Sequence, residues 1–234
     1  MTDDKRRIKS LALVGALNAQ QDNLELAARA LRRGRTLSRS VYGQEHPNSI
    51  AFTCSLAEVY LRDGRQADAE ALFKEVTRML DAPGRKIDSA TARSLVGLAS
   101  IHATRGEYPK AQALYERAIA VYEPLTKYQP VVKGDLVKAI FASGQLAHAQ
   151  GNYGKASEAY RHALLYLDSH PGRNALAASR ILWSLGDTYS AWQKPRRAQY
   201  SYKKAKRLLI QEYGADKIAA VWVTETAPSS PSAR

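Results

Sequence analysis

Histidine, cysteine and acidic side chains are the residues of this chain that could carry metal or nucleophilic chemistry. There are five histidines, His46, His102, His148, His162 and His170, and one cysteine, Cys54. A metal or hydrolytic site needs several such groups brought together at ligand spacing. His46 and His170 each precede a proline, Pro47 and Pro171, which fits a packing or capping role at a chain joint. His102 stands where related segments carry tyrosine, which also favours packing. His148 has no Asp, Glu or Cys at ligand spacing. Glu58 and Asp187 are too far apart in the chain order to read as an acid/base pair. The stretches GEY at 106–108 and GNY at 151–153 look like phosphate-loop fragments but sit where helices end. Cys54 lies in an apolar helical pattern and reads as an inert thiol; a lone cysteine excludes an internal disulfide and suits a reducing compartment. The expectation is a non-catalytic chain with no metal and no cofactor.

The elements behind these residues repeat. Gly64 and Gly106 are 42 residues apart, and Asp22 precedes Gly64 by the same interval. Gly151 and Gln193 continue the series. Each marks a turn between two apolar-periodic stretches, as in SLAEVYLRDGRQADAEALFKEV and GLASIHATRGEYPKAQALYERA. A period of 42 to 45 residues is the signature of stacked supersecondary units. Glycine at the break suits a left-handed helix cap, and a short turn forces an antiparallel hairpin. Ala67, Ala111, Ala156 and Ala198 are expected to let the second helices approach closely, with Tyr115, Tyr160 and Tyr202 filling the space beyond. The units run about 8–46, 47–88, 89–130, 131–175 and 176–215, after a basic lead at 1–7. A capping helix is expected at 216–223 and a disordered tail at 224–234. Residues 122–137, with two prolines, read as a longer joint that offsets the stack. The N-terminal apolar run is short and is interrupted by Asn18, Gln20 and Gln21, so it reads as the first helix rather than a leader. The chain is placed in the cytoplasm on that basis.

The small and aromatic positions resemble the tetratricopeptide repeat superfamily. The match is carried by Leu56, Ala57, Tyr60, Gly64, Ala69 and Phe73. It is carried again by Leu98, Ala99, Gly106, Ala111, Tyr115 and Ala118, and by Leu185, Gly186, Tyr189, Ala198, Tyr202 and Ala205. The 42-residue period and the joint from Gly43 to Pro47 are similar to the kinesin light chain type. The resemblance implies an all-α superhelix of about five helical hairpins plus the C-terminal cap. It also implies a concave groove lined by the first helix of each pair. That groove would present Ala12, Ala16, Ala19, Cys54, Glu58, Leu61, Arg62, Arg93, Val96 and Ser100. It would continue through Lys138, Phe141, Gln145, His148, Arg180, Trp183 and Asp187. The implied function is a scaffold that holds a peptide or partner protein there, with Phe141 and Trp183 as anchors.

Charge supplies the alternatives. Net charge is +13, concentrated at the ends. One basic patch comprises Arg32, Arg33 and Arg35; the other comprises Lys194, Arg196, Arg197, Lys203, Lys204 and Arg207. Such patches attract acidic proteins, nucleic acid or anionic surfaces. A regulatory module touching nucleic acid is therefore one alternative to the groove-binding scaffold. Self-association through the C-terminal helix, with Ile218, Val221 and Trp222 exposed, is another.

Overall fold

The structure is a computed structural model that describes residues 2–80, 88–167 and 174–214. Among them the chain is helical, in five consecutive pairs. These are α1 (Thr2–Gln20) with α2 (Leu24–Tyr42), α3 (Pro47–Arg62) with α4 (Gln66–Leu80), and α5 (Ser89–Thr104) with α6 (Tyr108–Leu125). They continue with α7 (Lys133–Ala149) and α8 (Tyr153–Leu167), then α9 (Ala175–Ala191) and α10 (Pro195–Tyr213). A 3-10 turn, Pro130–Val132, precedes α7. The chain divides into two compact units, 1–139 and 140–234.

The five turns inside the pairs share one construction. Gly64, Gly106 and Gly151 have φ of 77°, 75° and 71°, and Asp22 and Gln193 hold the same left-handed state at 63° and 56°. In every turn the next N–H reaches back to a carbonyl five residues earlier. Asn23 donates to Asn18, Arg65 to Tyr60, Glu107 to His102, Asn152 to Ala147 and Lys194 to Tyr189, at 2.8–2.9 Å. This is the Schellman closure, which satisfies carbonyls that a helix end leaves open. Glycine enters the left-handed region without a Cβ clash, so GEY and GNY are helix stops.

Other ends follow from side-chain chemistry. His46 caps α3 by accepting the Asn48 N–H at Nδ1, 3.2 Å, and stacks on Tyr42. Pro47 fills the first helical position, where no N–H is needed. Asp88 caps α5 by accepting from the N–H groups of Ala90 and Thr91 at 3.0 and 3.1 Å.

Packing within a pair joins a small residue on the first helix to a large one on the second. Gly15 faces Leu31, Gly144 faces Tyr160 and Gly186 faces Tyr202. The aromatic hydroxyl reaches one residue further: Tyr115 bonds Ser100 at 3.0 Å and Tyr202 donates to Asp187 at 2.7 Å. Between pairs of the first unit, Phe52 lies over Gly34 and Phe73 over Gly97. Ala27, Ala57, Ala69, Phe73 and Ile101 are buried in one apolar core of that unit.

Several expectations need correction. The close-approach alanine of the second pair is the fully buried Ala69, whereas Ala67, two residues away, points to solvent. The basic lead is helical from Thr2, because α1 absorbs it. The long joint shrinks to 126–132. Tyr122 to Leu125 complete α6, with Pro124 inside its last turn, and residues 133–137 begin α7. The 216–223 helix, the tail at 224–234, and His170 with Pro171 lie outside the described residues.

Candidate functional site

In the first unit the first helices α1 and α3 line a cleft of about 640 Å³. Its α1 wall carries Ala12, Ala16 and Ala19; Ala51, Ser55 and Glu58 come from α3. Helical periodicity makes the wall, since residues four apart share a face. Polar groups stand around the small apolar surface: Lys9 and Gln20 from α1, Asn48 and Arg62 from α3, and Lys138 from α7. Six expected groove residues therefore meet here: Ala12, Ala16, Ala19, Glu58, Arg62 and Lys138.

The charges on this line are partly committed to each other. Arg93 donates to both carboxylate oxygens of Glu58, at 2.9 and 2.8 Å, and to Ser55 at 3.3 Å. Burial acts to lower the pKa of Arg93, and the Glu58 carboxylate more than offsets this, so Arg93 stays charged. The pair ties α3 to α5. Arg62 donates to the Ala19 carbonyl at 2.7 Å and to Asp22 at 2.8 Å, bridging α3 to the first turn. Lys138 pairs with Asp135 at 3.1 Å on its own helix and is mostly exposed. Val96, Ser100 and Leu61 are half-buried.

Cys54 does not line the cleft. It is fully buried, its Sγ 3.4 Å from the Ser94 hydroxyl and directed at the Ala90 carbonyl. Burial pushes its pKa up to about 11. The repeat register places it on the inner line, but α5 packs over it.

The second unit holds the other expected groove residues. Phe141 is half-buried against Tyr160, with ring centroids 5.5 Å apart. Trp183 is 36% exposed and packs at 4.8 Å on Tyr202. His148 bonds the Thr188 hydroxyl at 2.9 Å and meets Tyr153 edge-on. Asp187 accepts from Tyr202, so part of its capacity is structural. Gln145 and Arg180 are exposed.

The basic patches divide. Arg35 leaves the N-terminal one: half-buried, it donates to Glu75 at 2.7 Å and to Thr53 at 3.3 Å. Arg39 also bonds Glu75, so two arginines of α2 close on one carboxylate of α4. Arg32 and Arg33 stay exposed and line a cleft of about 610 Å³ with Arg7 and Arg29. In the C-terminal patch Lys194 sits over the Trp192 ring at 3.0 Å. Arg196, Arg197, Lys203, Lys204 and Arg207 are exposed. Among the described residues no group of three or more His, Cys, Asp or Glu is placed to hold a metal ion. None of the described helices is long and apolar enough to cross a membrane.

Comparison with known proteins agrees with the geometry. Tetratricopeptide repeat family models match residues 7–82, 91–123 and 137–166, together more than half of the chain. No curated protein matches by sequence. Among solved structures, the chain is similar to BtubC (BKLC) from P. vanneervenii, with a TM-score of 0.77 and 18% identity. That match covers 89% of this chain and 82% of the other. It is similar to a putative kinesin light chain with tetratricopeptide-like repeats from Podosopora anserina, at TM-score 0.68 and 18% identity. Coverage there is 88% of this chain and 95% of the other. A third likeness is to the Rap conjugation gene regulator of plasmid pLS20 in complex with the Phr* peptide. Its TM-score is 0.69 at 12% identity, over 97% of this chain and 61% of that one. With the shared turn, the small-to-large helix contacts and these matched segments in place, the chain belongs to the tetratricopeptide repeat superfamily.

Proposed function

We propose that the chain is a non-catalytic protein-interaction scaffold and that the cleft between α1 and α3 receives an extended peptide. The observation that carries this reading is the alanine wall of that cleft, bordered by Lys9, Glu58, Arg62 and Lys138. Small side chains leave room for a partner's apolar side chain, and the surrounding polar groups fix its direction. Arg62 and Lys138 are already paired with Asp22 and Asp135, so Lys9 is the border cation offered to an acidic residue of the peptide. The Rap regulator, whose fold is similar, is in complex with a peptide, which supports the class of ligand. The buried free thiol of Cys54 supports a reducing, cytoplasmic setting.

The test uses peptides selected on the full-length chain from a display library. Ala16 is exposed, so Ala16→Phe fills the cleft without entering the core. Selected peptides should lose at least about tenfold in affinity to Ala16→Phe, the loss of one buried anchor. Circular dichroism must show an intact fold. Unchanged affinity in the folded variant contradicts the reading.

A further inference from the structure

The second unit holds a cleft that the groove reading does not use. It lies between the second helices of the last two pairs, α8 and α10, with α9 beneath, and has a volume of about 370 Å³. Its floor is mainly aliphatic: Leu182 and Leu185 of α9 are almost fully buried and Leu164 of α8 is half-buried, and the buried Tyr189 of α9 completes it, its ring centre 5.8 Å from the Arg197 guanidinium. Its edges are cationic. Arg161 comes from α8; Arg196, Arg197 and Lys204 come from α10. None of the lining residues is acidic. Tyr200, 70% exposed, stands on the α10 side.

Isolated basic residues on a helix are ordinary solvated charge. Here four cations from two helices converge on one concavity without a carboxylate among the lining, and the concavity has an apolar base. Like charges held together repel, and an anionic ligand relieves that repulsion. We propose that this cleft binds an acidic peptide segment that places an aliphatic side chain on the leucine floor and carboxylates on Arg161 and the α10 cations. Guanidinium groups grip carboxylates in bidentate geometry, and the exposed rim leaves these cations accessible to them. A single-stranded nucleic acid uses a cationic track with aromatic faces for its bases. This cleft offers one exposed tyrosine, Tyr200, while Tyr189 is buried with Arg197 near its ring, so successive bases meet no run of open aromatic faces. A flat bilayer surface does not reach the bottom of a concavity. The peptide is the occupant that uses both the floor and the rim, and the site is separate from the α1–α3 cleft.

The probe is a short fluorescein-labelled peptide with two central leucines flanked by glutamates, followed by fluorescence anisotropy on the full-length chain. Three comparison ligands accompany it: the same peptide with glutamine for glutamate, the same with serine for leucine, and an oligouridine RNA. Arg161→Glu/Lys204→Glu reverses charge on both sides of the cleft. Lys203→Glu/Arg207→Glu makes the same change of net charge on α10, outside the lining, and controls for long-range attraction. The acidic leucine peptide should bind, and either altered peptide should bind at least about tenfold more weakly. The cleft variant should lose about tenfold or more, and the control variant less than about threefold, since contact pairs outweigh screened distant charges. No binding by the wild-type chain overturns the proposal. So does equal loss in the two variants, undiminished binding of either altered peptide, or binding of the RNA in preference to the peptide. Because Ala16→Phe leaves this cleft untouched, its result reports on the α1–α3 reading alone.

Discussion

Replacing Gly97 by alanine tests whether the helical pairs meet through positions that admit no side chain. A Cβ built on Gly97 stands 2.2 Å from Cε2 and 2.3 Å from Cζ of Phe73. Carbon atoms in contact prefer about 3.5 Å or more, so ring and helix must separate by roughly 1.3 Å. Phe73 is fully buried in the core of the first unit, where Ala69, Ala57 and Ile101 are also buried, so it has little space to swing into. Overpacking of this kind costs about 1–3 kcal/mol, and the severity of the overlap places Gly97→Ala at the upper end. Alanine recovers about 1 kcal/mol through its better helix propensity, leaving a net loss of about 1–2 kcal/mol. Gly134, in the first turn of α7, is the control, because a Cβ there meets nothing within 4 Å. Gly134→Ala should stabilise by about 0.5–1 kcal/mol. Urea unfolding followed by circular dichroism reads both, as midpoints moving in opposite directions. A Gly97→Ala chain as stable as the wild type, with Gly134→Ala behaving as expected, refutes the packing argument.

Three further perturbations address electrostatics. Glu75→Gln leaves Arg35 and Arg39 half-buried without their shared carboxylate and should destabilise by about 1–3 kcal/mol in the same unfolding assay, below the cost of breaking a fully buried pair. Glu70, on α4, bonds Lys74 at 2.6 Å and Arg105 at 2.7 Å, which depress its pKa from 4.5 to about 2. A carboxylate depressed in the folded state adds stability above its unfolded pKa, and this is lost as pH falls from about 5 towards 2. The Glu70→Gln variant should therefore show a shallower loss of stability across that window. Cys54, buried and with its pKa raised to about 11, should resist a thiol-specific reagent at pH 8 in the native state. It should react fully in urea, and fast native labelling would contradict the burial.

Local signals were the most legible. The five turn positions could be read because each pair must end its first helix at the same step, and Asp22 and Gln193 were found by interval although neither is glycine. In the second pair the sequence offers both Ala67, as a close-approach alanine, and Ala69, at the repeat position, and the helical phase against α3 and α5 buries Ala69 and leaves Ala67 exposed. Contacts made forty residues away left little local trace. Arg35 read as one more cation in a basic run, and its partner Glu75 lies on another helix. Cys54 followed the inner register in the repeat pattern, yet its burial depends on Ala90 and Ser94 of α5. The repeat resemblance puts Ala12, Ala16 and Ala19 on one groove line, and in the structure all three line the α1–α3 cleft. No such line marks the leucine-floored cleft, since its lining comes from three helices that no single periodicity joins.

The central functional claim is that a peptide occupies the α1–α3 cleft. Alanine-methyl-labelled full-length chain, titrated with a selected peptide and followed by NMR, tests it most directly. The account predicts that the methyl signals of Ala12, Ala16 and Ala51 shift together and saturate with the binding isotherm. Saturable binding that leaves those three unmoved while methyls elsewhere respond would contradict it.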